Sequence, residues 1–296
     1  MLLVERKRIY QYNGLRRNKG EIKKMSVLTL ADAAKQATIA IRVKDRDKMI
    51  AFYKDTIGFA LKREENTLAI MGVKENDRQY LWLEESPRAA EHFGEVKKLK
   101  QYTIAVSNVE ELSDIYYRLK QASYPVVQTS YDDKAYILVD DPEGNRLEIT
   151  ADMNEKQVEN DEQLLALSTK KAPKLSQVTL LQQIQLNVTA PEKEIDFLQN
   201  NLGFYLGNNN SATRSAKNSD LEIVLEKTDS QLVDVESAEV LGLEIIRFVV
   251  TSDVLEGIQK HLVKIGKSFY IDKKKTILTV YDPARIEWWF VLKNDK

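Results

Sequence analysis

The sequence predicts an α+β protein of four βαβββ units, arranged as two tandem pairs. Three observations carry this. The octets FYKDTIGF (52–59) and FLQNNLGF (197–204) begin 145 positions apart, and each closes an apolar-periodic segment with hydrophobic-Gly-Phe. Strand-like openings end on Val43, Val106, Val188 and Val250, which makes a repeat inside a repeat. The second and fourth openings are followed at similar distances by the related stretches DPEGNRLE and DPARIE.

Each element has a local reason. In TIAIRV (38–43), alternation puts Ile39, Ile41 and Val43 on one face and Thr38, Ala40 and Arg42 on the other. Asp45 or Asp47 can cap the helix that follows, Met49, Phe52, Tyr53 and Ile57 recur at helical spacing, and Gly58 supplies a left-handed stop. FALKREE, TLAIMGV and YLWLEE complete the first unit as strands. The second unit runs from QYTIAV through the helical VEELSDIYYRLKQA to PVVQTSY and two strands joined at DPEGN. The third opens with IQLNV and a helix led by Pro191; the fourth opens with IRFVV and a helix striped by Leu255, Ile258, Leu262 and Ile265. DPARIE reads as DPEGNRLE shortened by two turn residues, which aligns Glu287 with Glu148. Trp288 and Trp289 fall on opposite faces of the last strand, so one is core and the other is a cup wall or a domain contact. The resulting division is an N-terminal extension (1–35), a first domain (36–152), a polar linker with an LLAL island that could dock as one helical turn (153–177), and a second domain (178–294).

Composition narrows the function. With 296 residues, 43% hydrophobic and 30% charged, the chain fits two soluble domains. No apolar run reaches membrane-spanning length, and a net charge of −1 gives no field for nucleic acid or anionic lipid. Cysteine is absent, which excludes disulfides, thiolate nucleophiles and cysteine metal sites. Residues 1–24 carry eight Lys/Arg against two Glu, with no apolar stretch behind them. That is no secretory signal and predicts a cytoplasmic protein. Lys19-Gly20-Glu21 can be encoded as a ribosome-binding sequence just upstream of Met25, which suggests translation from Met25.

Paired βαβββ units, FY…LGF after the first strand and DP.G..xE on the last resemble the vicinal oxygen chelate superfamily, the fold of glyoxalase I, bleomycin-resistance proteins and extradiol dioxygenases. The phrases ATIAIRVKDRDKMIAFYKDTIGF and YILVDDPEGNRLEIT, with a weaker second copy, are further similar to the streptococcal CppA family. That resemblance implies a surface-associated protein labelled a complement C3-degrading proteinase. The superfamily implies a cup in which four side chains hold a divalent metal with open positions for substrate oxygens. Counting back five residues from each opening valine gives Thr38, Gln101, Gln183 and Ile245 as strand-head positions. Late-strand candidates are Trp82 or Glu84, then Glu148, then Glu222 or Glu226, then Glu287.

No histidine stands at any of these positions; His92 lies in a linker-like stretch and His261 flanks a helix stripe. The residues therefore predict no resident cofactor. A divalent metal (Mn, Mg, Ni or Fe), if bound, would use Gln101 and Glu148. Alternation places Thr38, Arg42, Trp82, Glu84, Gln101, Thr103, Arg146 and Glu148 on the cup floor of the first half, and Gln183, Gln185, Asn187, Arg247 and Glu287 on that of the second. Such a lining suits a small anionic ligand; alternatively Arg42 or Arg146 pairs with Glu148 or Glu84 and closes the site. No peptidase motif is present: there is no GxSxG, HExxH or DTG. Two readings stay open. One is a CppA-like protein acting on or binding C3, with the fold repurposed as a binding scaffold. The other is a divergent chelate enzyme or small-molecule binder. Expected partners are a small anion, C3 by resemblance, and a second copy of the chain.

Overall fold

The computed structural model describes residues 36–91, 95–154, 156–207, 213–218, 221–230 and 240–293, with backbone alone at Leu206 and 213–218. The N-terminal extension and His92 lie outside these residues. The four units are present. The first comprises β1 (Gln36–Val43), α1 (Arg46–Ala51), β2 (Ala60–Glu65), β3 (Leu68–Gly72) and β4 (Gln79–Glu85). The second comprises β5 (Leu99–Ala105), α2 (Val109–Gln121), β6 (Gln128–Tyr131), β7 (Lys134–Asp140) and β8 (Arg146–Asp152). A short helix, α3 (Asp161–Ala166), lies between the halves. The third unit comprises β9 (Leu180–Val188), α4 (Pro191–Asp196), β10 (Tyr205–Leu206), β11 (Thr213–Asn218) and β12 (Leu221–Lys227). The fourth comprises β13 (Gly242–Val250), α5 (Ser252–Ile265), β14 (Tyr270–Ile271), β15 (Ile277–Tyr281) and β16 (Glu287–Leu292).

The units pair across the halves. One eight-stranded sheet runs β14-β15-β16-β13-β1-β4-β3-β2, joining units 4 and 1; the other runs β10-β11-β12-β9-β5-β8-β7-β6, joining units 3 and 2. The seams are antiparallel ladders, with Ile39 opposite Ile246 and Tyr102 opposite Ile184. Each of these four residues lies four positions before its unit's opening valine. Within each half the bond is made by helices instead. Phe52 rests on Tyr124 in the first half, and Arg118 donates to the carbonyls of Thr56 and Ile57. In the second half Phe197, Phe204, Phe248, Trp288 and Phe290 form one aromatic core. The buried apolar residues of both halves form one continuous cluster, and each half lends strands to both sheets.

The two octets form one element, a π-helical turn that widens the end of the preceding helix: Phe52–Ile57 after α1 and Phe197–Asn201 after α4. Asp45 caps α1 by accepting from the Lys48 amide. Gly58 ends the first turn at φ 110°, and the Leu175 amide donates to its carbonyl at 2.8 Å. Between the halves, α3 docks by Leu164, and Asp161 accepts from the hydroxyls of Tyr116, Tyr131 and Thr129.

Beneath the DP turns sit two buried acids. Asp141 accepts from Tyr53, whose hydroxyl in turn accepts from Tyr102. Burial raises the carboxyl of Asp141 and drives both tyrosines well above the usual phenol range. In the second half Asp282 accepts from the Trp288 indole and lies beside Glu194. Burial, then mutual repulsion, raises Glu194; burial also raises Asp282.

Two predictions follow from this packing. A Cβ on Gly58 would lie 2.8 Å from the Lys174 amide nitrogen at a left-handed φ, whereas at Gly266 it would meet open space. Gly58→Ala is expected to cost roughly 2–3 kcal/mol in urea unfolding and Gly266→Ala about 1 kcal/mol; equal losses would sink the account. A raised carboxyl binds its proton more tightly folded than unfolded, so stability falls as pH climbs from the ordinary carboxylate range through neutrality. Glu194→Gln should flatten that fall and exceed the parent at pH 8.5 by on the order of 1–3 kcal/mol.

Candidate functional site

The cross-half pairing redistributes the expected cup residues. Alternation fixes the face of a strand but not its neighbour, so Thr38, Arg42, Trp82 and Glu84 do not share a floor with Gln101, Thr103, Arg146 and Glu148. They share one with Arg247 and Glu287, while the second set faces Gln183, Gln185 and Asn187. A second correction concerns the turns. The Asp141 amide bonds the Asn145 carbonyl and the Asp282 amide bonds the Ile286 carbonyl, so both turns have the same length. Arg285, at φ 61°, stands where Gly144 stands. Glu287 therefore occupies the register of Arg146, and Trp289 that of Glu148.

Cross-strand register then defines equivalent positions in the two cups. Glu148 stands beside Thr103, two residues after the strand head Gln101. Trp82 stands beside Ala40, Trp289 beside Arg247 and Val224 beside Gln185, each by the same rule. The four chelate positions are thus Thr38, Trp82, Ile245 and Trp289 in the cup of units 1 and 4. In the cup of units 2 and 3 they are Gln101, Glu148, Gln183 and Val224.

The first cup is aromatic and holds two arginines and three glutamates. Trp82 and Trp289 meet edge to face at 6.4 Å, over a small apolar floor of Ala40 and Ile245. Trp288 points the other way, into the core at 1% exposure. The Arg247 guanidinium lies 5.0 Å over the Trp82 ring, with one Nη 3.5 Å from the Thr38 hydroxyl. Burial holds its pKa down to about 10, so it remains a cation at neutral pH. Arg42 pairs with Glu244 at 2.7 Å and with Glu84 at 3.9 Å, all three side chains at most 15% exposed. Glu287 accepts from the Trp289 indole at 2.8 Å and the Tyr281 hydroxyl at 2.9 Å. Glu244 escapes the alternation because β13 bulges there: Ala40 faces Ile245 and Ile41 faces Leu243. Its only sequence signal is a charge flanked by apolar strand residues.

The second cup is an amide–carboxylate lattice. Glu148 accepts from Gln101 at 2.9 Å and from Thr103 at 3.3 Å, and burial raises its pKa against those bonds. Gln183 donates to Glu222 at 3.2 Å and Gln185 to Glu226 at 2.9 Å. Lys100, the extra residue of a bulge in β5, also reaches Glu226. Asn187 donates to the Lys97 carbonyl. Arg146 turns to Asp140 instead of Glu148. No group of three or more His, Asp or Glu suited to a metal occurs among the described residues. The first cup's chelate positions cannot hold one. The second offers three oxygen-bearing side chains and a valine, a set that only a hard, oxygen-seeking cation would accept.

The sequence and the fold match known proteins. Residues 35–149 match the profile of the Glyoxalase/Bleomycin resistance protein/Dioxygenase superfamily, and residues 175–290 match that of the CppA C-terminal domain. The first half is thus similar to the glyoxalase-like superfamily and the second to the CppA C-terminal family. The crystal structure of CppA from Streptococcus pneumoniae superposes with a TM-score of 0.62 at 16% identity, covering 88% of this chain and 99% of that one. A putative dioxygenase from Bacillus subtilis gives 0.65 at 13% identity, covering 90% and 86%. Glyoxalase I from Zea mays gives 0.57 at 14% identity, covering 86% and 92%. At these identities the likeness is one of fold. No curated protein matches the chain. No helix among the described residues is long and apolar enough to cross a membrane. Members of the superfamily usually bind a divalent metal.

The buried Arg42–Glu84–Glu244 cluster predicts a specific failure. Arg42→Ala would leave two half-desolvated carboxylates facing each other and should cost roughly 3–5 kcal/mol in urea unfolding at pH 7. Part of that loss should return near pH 4, where the carboxylates take up protons. A loss independent of pH would assign the effect to packing alone.

Proposed function

We propose that this chain is a chelate-fold scaffold turned to binding, a CppA-type protein whose cups recognise ligands without metal-centred chemistry. One observation carries the reading: the chelate register is broken in both cups, by Thr38, Trp82, Ile245 and Trp289 in one and by Val224 in the other. The corresponding sheet faces are lined by partly or fully buried polar side chains. A C3-directed role, suggested by the resemblance to the CppA family, would then be one of contact rather than cleavage. The sequence carries no cysteine, and His261 engages the Asn200 carbonyl at 2.7 Å.

A second reading has its own support. Glu148 has no cationic partner among the described residues, and its burial favours anything that neutralises it. A hard divalent ion held by Gln101, Glu148 and Gln183 would do so, and would supply a Lewis acid for substrate oxygens.

Elemental analysis and Mn²⁺ titration of the purified chain separate the two. The scaffold reading expects no stoichiometric metal and no saturable Mn²⁺ site abolished by Glu148→Gln. A one-to-one metal lost in that variant establishes the second reading and removes the first. Incubation with C3 is expected to leave C3 intact while C3 is retained on the immobilised protein. Cleavage above that of a mock purification overturns the contact role.

A further inference from the structure

Among the described residues, Arg247 is the arginine of the first cup that has no carboxylate partner. Its Nε is buried and meets no acceptor, and its only polar contact among the described residues is the long one to Thr38. Thr38 already donates its proton to the Gln79 carbonyl at 2.7 Å, so it offers Arg247 only a lone pair. The acids of the same cup are directed elsewhere: Glu84 and Glu244 to Arg42, Glu287 to Trp289 and Tyr281. A partly buried guanidinium without a carboxylate is costly, and cation–π contact with Trp82 offsets only part of that cost.

We propose that the cup of units 1 and 4 binds a monoanionic carboxylate on a flat apolar body, an aromatic acid of the benzoate class. The proposal rests on reading the chain as a binding scaffold and names the ligand class of one cup. The guanidinium is a planar fork that matches a carboxylate, and its unpaired edge is what such a group requires. The carboxylates of Glu84, Glu244 and Glu287 ring the cup and oppose a dianion, which selects a single negative charge. Trp82 and Trp289 supply wall area for a ring, and Ile245, Ile277 and Val291 extend the apolar surface beside them. The first cup thereby replaces a metal at the chelate register with an arginine-and-indole site.

Isothermal titration of the full chain with benzoate, its neutral isostere benzamide and inorganic phosphate tests this. Benzoate is expected to bind one to one, with benzamide and phosphate weaker by about tenfold or more. Arg247→Gln should lose a comparable factor, and Arg247→Lys should fall between, keeping charge without the fork. Equal binding of benzoate and benzamide, stronger binding of phosphate, an unchanged Arg247→Gln variant, or no saturable benzoate binding overturns the proposal. Should Arg247→Gln fail to fold by circular dichroism, the benzoate-to-benzamide ratio on the parent decides. Failure of the scaffold reading has a different signature, a stoichiometric metal dependent on Glu148.

Discussion

Each unit opens with a strand whose own hairpin covers only one edge. β1 lies against β4, and β5 against β8, leaving a row of amides and carbonyls that must find partners. The chain solves this with two antiparallel seams, β1 on β13 and β5 on β9. The rest depends on those seams. They bring the strand heads of two units together in each eight-stranded sheet, and they decide which side chains meet. They also bulge, and the bulges turn Glu244 and Lys100 toward partners that a regular strand would deny them.

The two cups show how one backbone register supports unlike chemistry. At the position where Glu148 receives hydrogen bonds from Gln101 and Thr103, the other cup has Trp82 on one side and Trp289 on the other. Indole in place of carboxylate converts a polar, amide-lined floor into an apolar wall. The charges then reorganise: Arg42 gathers two acids, while Arg247 is left to the face of an indole. The same backbone carries both solutions, with the large aromatic and aliphatic core packed behind the sheets.

Much of this was legible in the chain. Period-two alternation put Ile39, Ile41 and Val43 on the face that is buried in the core, with Thr38 and Arg42 on the other, and the paired octets marked two helix ends. What alternation lacks is any record of the neighbouring strand, so the association of units 1 with 4 and 2 with 3 was not readable from it. The apparent echo of DPEGNRLE in DPARIE misled for a related reason. A glutamate two residues earlier looks like a shortened turn, yet Arg285 adopts the left-handed conformation of Gly144 and the turn keeps its length. Glu244 was hidden by a bulge, a local event without a strong sequence signature.

The sharing of strands between halves also bears on ancestry. Two identical copies of a half-length chain could close the same pair of seams, but symmetry would then force both cups to be alike, and any change would appear twice. Joining the halves through a docked segment keeps the partner at high local concentration and ends that symmetry. Each cup is then free to drift on its own, one toward indole and arginine, the other toward amide and carboxylate. The covalent link is what allows a single protein to carry two differently lined cups on one duplicated frame.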